Sequence, residues 1–157
     1  MTIYINSPGG DVFQGTTIYN LIRGHKAKKR VEIVGLAASI ASIIAMAGDE
    51  IAIARNGFMF IHDAQVSAYR LNAAKMRRTA DELDLVSDEM AATYSRRSGQ
   101  PAMDMRKMMR KEELLNASRT IELGLADSYL DPAPAEAIKA HLDDRFKLDH
   151  KDAYDAI

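Results

Sequence analysis

The sequence predicts an α/β domain in which parallel β-strands are covered by helices. Short runs rich in β-branched and aromatic residues alternate with segments of helical periodicity, and turn residues separate them. The 157 residues are 47% hydrophobic and 27% charged, which is enough to bury one core in a globular domain. The order strand, helix, strand, helix, strand, strand over residues 1–62 is typical of β-α-β units.

Four strands and two helices are predicted in the first part of the chain. Residues 2–6 (TIYIN) predict a strand that stops at the turn SPGG over residues 7–10. Asp11 is the predicted N-cap of a helix with apolar residues at helical spacing, which Gly24 and the basic run 25–30 end. Residues 31–36 predict a second strand and residues 37–47 a tightly packed helix of small residues. Residues 50–54 and 57–62 predict two further strands.

The second part of the chain is predicted to be mostly helical. Residues 71–97 predict one long helix whose dense charges are typical of a helix that projects or bridges subunits. The segment SGQP at 98–101 ends it, and another helix follows over residues 103–110. Asn116 is the predicted cap of a short helix to about residue 123, with Gly124 at its C-terminal position. Residues 126–130 predict a last strand, residues 131–134 a linker, and residues 135–157 a short helix and a loose polar tail.

Composition and charge exclude several function classes. The formal net charge of −1 does not indicate a nucleic-acid partner. The chain has no cysteine, which excludes disulfides, thiolate catalysis and cysteine-ligated zinc. Its longest apolar stretch, residues 31–48, is interrupted by glycine and serine, whereas a membrane-spanning helix needs about 20 consecutive apolar residues. Because the N-terminus has no signal-peptide pattern, we expect a cytoplasmic protein. We also expect that the protein has no cofactor.

Two segments place backbone N–H groups or a hydroxyl where they can serve chemistry. Gly9 and Gly10 lie between a strand and a helix, so their bare N–H groups can receive an anion or a developing oxyanion. Ser39 lies where a strand ends and a helix begins, a position that suits a nucleophile but also an ordinary N-cap. The segment around Ser39 is not the G-x-S-x-G elbow of the α/β-hydrolases, because Ala37 and Ala41 replace the glycines.

A general base is predicted at His62, at the end of a strand. Strand alternation puts Phe58, Phe60 and His62 on one face and turns Asp63 to the other. An imidazole titrates near neutral pH, which suits general-base work. The other histidines look solvated; they are His25, His141 and His150.

A catalytic histidine also needs an acid to orient it. The spacing leaves several candidates open, each of which is also an ordinary surface charge: Asp104, Glu112, Glu113 and Asp127. From the residues alone, a hydrolase and a non-catalytic α/β module are about equally supported.

Taken together, four segments resemble the proteolytic subunit of the Clp protease, and especially its phage-encoded relatives. They are YINSPGGDV at 4–12, GLAAS at 35–39, MFIH at 59–62 and ELGLAD at 122–127, and they occur in the family's order. The similarity covers residues 2–130. Each motif is weak alone, whereas four in order with compatible spacing are specific.

The resemblance implies a fold and a catalytic mechanism. The fold is the crotonase-like spiral of β-β-α units, with the long helix at 71–97 as a handle by which two rings pack face to face. The activity is that of a serine endopeptidase in which Ser39 attacks the scissile carbonyl and His62 transfers the proton. The N–H groups of Gly10 and Ile40 would form the oxyanion hole.

The resemblance also implies an acid, domain boundaries and partners. Counting back from Gly124 places the acid of the triad at Glu112, and a one-residue slip would make it Glu113. Residues 1–130 would form the peptidase domain, without the helix and strand that precede the glycine turn in the family, and residues 131–157 a polar extension. The implied partners are a polypeptide substrate, copies of the chain in a homo-oligomeric ring (a heptamer or stacked rings) and an AAA+ unfoldase. Neither nucleic acid nor a membrane is implied.

The family's roles include ATPase-assisted degradation and phage head maturation, and two alternatives to a peptidase stay open. One is a catalytically impaired Clp-like assembly or scaffold module. The other is a crotonase-like acyl-CoA enzyme, which shares the architecture and the backbone oxyanion hole. The Ser39 and His62 pair argues against the acyl-CoA enzyme, because such an enzyme does not need a serine nucleophile.

Overall fold

A curled, mainly parallel sheet with helices packed on it forms the body of the protein. The structure, a computed structural model, describes residues 1–130. The predicted linker at 131–134 and the helix and tail predicted after it, with His141 and His150, lie outside the described residues. In chain order the elements are β1 (Thr2–Ser7), α1 (Val12–Gly24), β2 (Arg30–Ala38), α2 (Ile40–Ala45), β3 (Glu50–Ala54), β4 (Phe58–Ile61), α3 (Ala73–Ser98), α4 (Ala102–Arg110), β5 (Glu113–Asn116), α5 (Ala117–Glu122) and β6 (Ser128–Leu130).

The central strand is β2, which pairs in parallel with β1, β3 and β4. Its first half, from Arg30 to Ile33, pairs with β3, and its last residues, from Leu36 to Ala38, pair with β4. The strand β6 extends the sheet in parallel beside β3, whereas β5 runs antiparallel beside β4. The parallel β-α-β units predicted from the sequence are therefore confirmed. Because β2 pairs with different strands along its length, the sheet curls at the end of β2.

The observed elements differ from the predicted ones at two places in and beside the sheet. The helix predicted over 37–47 is only Ile40–Ala45, because Ala37 and Ala38 continue β2 and pair with Met59 and Phe60. Ladder hydrogen bonds with a neighbouring strand outweigh the helix propensity of alanine here. The strand β5 was not predicted, because four residues (ELLN) directly before a helix cap carry no periodic signal.

The helix α3 projects from the body along its first half. Asn72 caps it by accepting a hydrogen bond from the Lys75 N–H, and Gly99 ends it with φ 74° in the left-handed region. Its 26 residues span about 39 Å. Its buried side chains begin only at Ser87, so the projection predicted from its charges is confirmed. None of the helices within residues 1–130 combines the length and apolar character needed to span a bilayer.

Other local predictions were also confirmed. Asp11 caps α1 through a hydrogen bond from the Gln14 N–H at 2.8 Å, and Asn116 caps α5 through the Arg119 N–H at 2.8 Å. The helix α1 lies directly on the start of α2. A Cβ at Gly15 would come within 2.2 Å of the Ile40 side chain, so only glycine permits this approach. The approach fixes α1 and the turn before it against the Ser39 segment.

Candidate active site

Ser39 lies at the junction of β2 and α2 in a strained backbone conformation. Its φ of 55° and ψ of −131° fall in a region that non-glycine residues rarely occupy. Its hydroxyl does not cap α2, so the ordinary N-cap interpretation of this serine is wrong. The side chain is partly exposed, and the hydroxyl is not committed to a partner among residues 1–130. Such strain is typical of functional sites, where the surrounding fold holds a residue in place.

The glycine turn packs directly on Ser39. A Cβ at Gly9 would lie 2.6 Å from the Ser39 Cβ and 2.8 Å from the Ala38 carbonyl oxygen, and the φ of Gly9 is 101°. No other residue fits at this position. The next N–H, that of Gly10, and the N–H of Ile40 make no hydrogen bond with another group in the described part of the chain. Two unpaired N–H donors therefore flank the serine, one from each segment.

His62 follows the strand next to that of Ser39. The Ser39 N–H donates to the Phe60 carbonyl at 2.9 Å, and Ala38 lies opposite Phe60 in the parallel register. Ser39 and His62 thus both lie just beyond the carboxyl ends of neighbouring strands, at one edge of the sheet. Within residues 1–130 the structure has no hydrogen bond between the Ser39 Oγ and the imidazole.

The environment of His62 defines its tautomer. Its ring stacks on Phe60 with centroids 5.2 Å apart, which confirms that the two share a face. Its Nδ1 lies 2.6 Å from the Asp63 carbonyl oxygen. Because a carbonyl oxygen can only accept, the proton is on Nδ1 and Nε2 carries a free lone pair. This is the tautomer that can take a proton from a hydroxyl.

Glu112 lies next to His62 across an antiparallel strand pair. Ile61 is opposite Glu113 in the register of β4 and β5, so the positions that follow and precede them, His62 and Glu112, are neighbours. The Glu112 carboxylate is exposed and accepts a hydrogen bond from the Gln65 Nε2 at 2.9 Å. The carboxylate therefore reaches the segment after His62 but does not bond to the imidazole itself.

The remaining acid candidates have other partners. Asp104 forms an ion pair with Lys107, and Asp127 accepts from the Ile51 N–H at 2.7 Å and pairs with Arg97. Glu113 is part of β5.

The predicted exposure of His25 is confirmed, and its Nδ1 accepts a hydrogen bond from the Ala27 N–H.

A buried arginine behind His62 was not found from the sequence. Arg106 on α4 pairs with the carboxylates of Asp63, Asp84 and Asp88, although only 8% of its side chain is exposed. Burial disfavours the charge of Arg106, but hydrogen bonds to Asp88 and Asp63 outweigh it and raise the pKa of the guanidinium. The Asp63 carboxylate thus faces the arginine while its carbonyl faces the imidazole. An arginine in a dense charge pattern gives no signal of burial, so nothing in the sequence singled it out.

A second interaction that the sequence did not reveal lies under Ser39. The Tyr94 hydroxyl on α3 is 2.6 Å from the Ser42 Oγ, and both residues are fully buried. Tyr94 belongs to the apolar positions of α3, a pattern that predicts a buried ring but gives no indication that its hydroxyl has a partner. Among residues 1–130 there is no cluster of side chains suited to hold a metal ion.

The arrangement combines a hydroxyl, an imidazole with an accepting nitrogen, a nearby carboxylate and two N–H donors. These are the groups needed for nucleophilic attack on an acyl carbon and for stabilisation of the oxyanion that results.

The chain is similar to proteins of one known family. The family model described as Clp protease matches residues 1–133. The chain is 30% identical over 139 residues to the ATP-dependent Clp protease proteolytic subunit 2 of Parasynechococcus marenigrum; this alignment covers 87% of the chain and 70% of that protein. It is 29% identical over 132 residues to the proteolytic subunit of Deinococcus radiodurans, covering 82% of the chain and 64% of the relative. It is 31% identical over 130 residues to the proteolytic subunit of Chaetosphaeridium globosum, covering 81% of the chain and 64% of the relative.

Proposed function

The chain belongs to the Clp protease family, a family of serine peptidases, and from this we propose that it is an endopeptidase with Ser39 as nucleophile, His62 as general base and Glu112 as acid. The observation that carries the proposal is the position of Ser39. Ser39, the proposed nucleophile, has a free hydroxyl on a strained backbone, packs against Gly9 and lies next to β4, the strand that precedes His62.

The proposed reaction proceeds in two steps. The Ser39 Oγ attacks the scissile carbonyl carbon while the His62 Nε2 accepts the hydroxyl proton. The carbonyl oxygen becomes an oxyanion and receives hydrogen bonds from the Gly10 and Ile40 N–H groups. The imidazolium gives its proton to the leaving amine, and the acyl-enzyme ester forms. A water molecule, deprotonated by the same imidazole, then hydrolyses the ester and restores the serine.

In this proposal Glu112 orients His62 by replacing the Asp63 carbonyl as the acceptor of the Nδ1 proton. The replacement requires the Glu112 carboxylate to leave Gln65 and turn toward the His62 imidazole. A substrate that occupies the site can favour this turn by excluding water from the carboxylate. Glu113, the next residue and the first of β5, is the alternative acid.

A groove beside the glycine turn suits an extended peptide. It has a volume of about 320 Å³ and is lined mainly by apolar side chains from α1, from the segment after His62 and from α3, together with Gly10. The residues of the 62–72 segment form neither a helix nor a strand, so backbone groups there that have no partner within residues 1–130 can bond to a peptide main chain. The Asp63 carbonyl, the Ala64 N–H and the Asn72 carbonyl are already bonded. An unfolded polypeptide is therefore the substrate class that we propose.

The surface supports an oligomer. Phe13 and Leu21 on α1 and Leu85 on α3 are each at least 67% exposed, and the groove between the two helices has a volume of about 400 Å³. Large exposed apolar groups of this kind mark protein interfaces. We propose a homo-oligomeric ring, heptameric or in stacked rings, and, from the relatives' names, assistance by an ATP-dependent AAA+ unfoldase. A role in phage head maturation stays a prediction, as does a cytoplasmic location.

A catalytically impaired Clp-like scaffold is the second candidate. One observation favours it: the Glu112 carboxylate bonds to Gln65, and the imidazole bonds to a backbone carbonyl. A crotonase-like acyl-CoA enzyme loses support, because the family match is to peptidases.

Labelling with a fluorophosphonate probe and hydrolysis of an unstructured fluorogenic peptide test the proposal. We expect the probe to modify Ser39 and expect Ser39→Ala to abolish both labelling and hydrolysis. His62→Ala should lower both rates by at least about 1,000-fold, because proton transfer and nucleophile activation are lost together.

The matched pair Glu112→Gln and Glu113→Gln distinguishes the two acids. We expect Glu112→Gln to lower kcat by at least about tenfold, while Glu113→Gln stays near wild type. Wild-type protein that is folded and oligomeric but does not react with the probe would support the scaffold instead. Native mass spectrometry gives the ring size in the same samples.

A further inference from the structure

A directed chain of hydrogen bonds leads from α3 to the backbone of Ser39. The Tyr94 hydroxyl is 2.6 Å from the Ser42 Oγ, and the Ser42 Oγ is 2.5 Å from the Ser39 carbonyl oxygen. The chain joins residues 52 positions apart and is completely buried at Tyr94 and Ser42. A buried polar chain in an otherwise apolar core is costly unless every member is satisfied.

The direction of the chain follows from its chemistry. The Ser39 carbonyl can only accept, so the single Ser42 hydroxyl proton is donated to it. Ser42 then has only lone pairs left for Tyr94, and the Tyr94 hydroxyl must be the donor. Burial raises the pKa of the Tyr94 phenol, which keeps its proton in place across the working range of pH. Every hydrogen bond of the chain therefore points toward Ser39.

The last acceptor belongs to the peptide unit that carries the Ile40 N–H. A peptide unit is planar, and in the trans form its C=O and N–H point in opposite directions. As the N-cap carbonyl of α2, the Ser39 carbonyl accepts from backbone N–H groups of the helix, among them the Ser42 N–H at 3.0 Å, and it also accepts from the Ser42 Oγ, so backbone and side-chain bonds together hold the plane. Whatever fixes the direction of the carbonyl therefore also fixes the direction of the N–H on the opposite side of the peptide. Donation to a carbonyl also polarises its peptide and strengthens the N–H as a donor.

We propose that Tyr94 and Ser42 are positioning residues that orient and polarise the Ser39–Ile40 peptide, and through it the Ile40 N–H that receives the oxyanion. The proposal deepens the proposed function and rests on it for the role of the Ile40 N–H. The chain from Tyr94 is also one of the contacts that hold Ser39 at φ 55° and ψ −131°, because rotation of the following peptide would break the hydrogen bond from Ser42.

The kinetic test uses Tyr94→Phe, Ser42→Ala and the double variant. Tyr94→Phe removes one oxygen atom without changing the ring. We expect kcat for the peptide to fall about fivefold in Tyr94→Phe and about tenfold in Ser42→Ala with KM unchanged, less than the loss of a whole oxyanion donor. The double variant should be no slower than Ser42→Ala, because Tyr94 acts only through that hydroxyl.

The matched control is Thr120→Val. Thr120 is also fully buried, and its hydroxyl bonds to the Asn116 carbonyl at 2.8 Å in α5. It should lose stability as the other variants do but keep the wild-type kcat. Circular dichroism melts of all variants separate stability from rate.

A readout that does not depend on activity is the amide proton of Ile40 in protein labelled with ¹⁵N-isoleucine. The peak is assigned by its loss in Ile40→Val. We expect it to move upfield in both Tyr94→Phe and Ser42→Ala and to stay in place in Thr120→Val. If wild-type protein does not hydrolyse peptides but the peak moves, the proposed function fails and the orienting chain stands. If wild type is active while Tyr94→Phe neither slows it nor moves the peak, or if the kcat losses of the two variants multiply, the chain is refuted.

Discussion

Replacing Gly9 by alanine should disable the site by pushing against the nucleophile. The new methyl group would lie 2.6 Å from the Ser39 Cβ and 2.8 Å from the Ala38 carbonyl oxygen. Neither neighbour is the end of a flexible side chain that can swing away. The first is held by its backbone, and the second is a main-chain atom at the end of β2.

The magnitude follows from these distances. Ordinary contacts of a Cβ begin near 3.4 Å, so Gly9 and Ser39 must separate by about 0.8 Å. A displacement of about 1 Å in an active site costs about 100-fold in rate. The positive φ of 101° adds about 1–2 kcal/mol of backbone strain, and overpacking adds a similar amount. We therefore expect Gly9→Ala to lose about 3 kcal/mol of stability, which a domain of ordinary stability survives.

The assay is the second-order rate constant of fluorophosphonate labelling at Ser39, measured beside urea unfolding on the same samples. We expect labelling to be about 100-fold slower in Gly9→Ala. The matched control is Gly24→Ala, because a Cβ at Gly24 meets no atom within 4 Å and the residue ends α1. It should label at the wild-type rate and change stability by less than about 1 kcal/mol.

One result would refute this reasoning. If Gly9→Ala is folded and labels Ser39 at the wild-type rate, the glycine turn does not position the nucleophile. Equal slowing in Gly24→Ala would have the same meaning, since the effect would then not depend on contact with Ser39.

Three further predictions concern stability. Arg106→Met leaves three carboxylates without their shared partner and should lower the free energy of unfolding in urea by about 2 kcal/mol. This loss is smaller than for a fully buried ion pair, because two of the carboxylates, those of Asp84 and Asp88, are mostly exposed. An unchanged midpoint of urea unfolding would contradict this prediction. The hydrogen bond from the Lys29 backbone N–H holds the pKa of Asp49 below its ordinary value of 3.8. Its stabilisation is therefore present above that value and lost as the pH falls through the lowered pKa, so Asp49→Asn should be less stable than wild type at pH 7, and the difference should shrink as the pH falls below that value. Asn116→Ala removes the cap of α5 and should cost about 1 kcal/mol, whereas a loss in thermal melts no larger than that of an exposed alanine substitution would argue against the cap.

Much of the fold was predictable because its signals are local. Asp11 and Asn116 were recognised as caps from residue type and position, and both cap as predicted. The turn at Gly9 and Gly10 follows from the conformational freedom of glycine. Hydrophobic periodicity and charge density found the long helix within two residues at each end. These features depend on neighbours within a few positions, which the sequence displays directly.

The site was predictable only in part. Ser39 and His62 were singled out from residue type and position, and the family resemblance implied their roles; the register of two parallel strands is what brings them to one edge. The pairing of β4 with β5, which places Glu112 next to His62, joins segments about 50 residues apart and has no local signal. Spacing alone therefore could not choose among the acids.

What the sequence determined by itself was the class of fold, the helix caps, the glycine turn and the positions at strand ends of the two residues to which we assign acyl chemistry in our proposal. Tertiary structure alone decided that Ala37 and Ala38 extend a strand, because a neighbouring strand supplies hydrogen bonds that a helix would otherwise make. It alone also placed Tyr94 over Ser42 and Arg106 against Asp63. The physical reason is the same in each case. The partner of a polar group depends on which surfaces meet in the folded core, and the local sequence around neither partner indicates this.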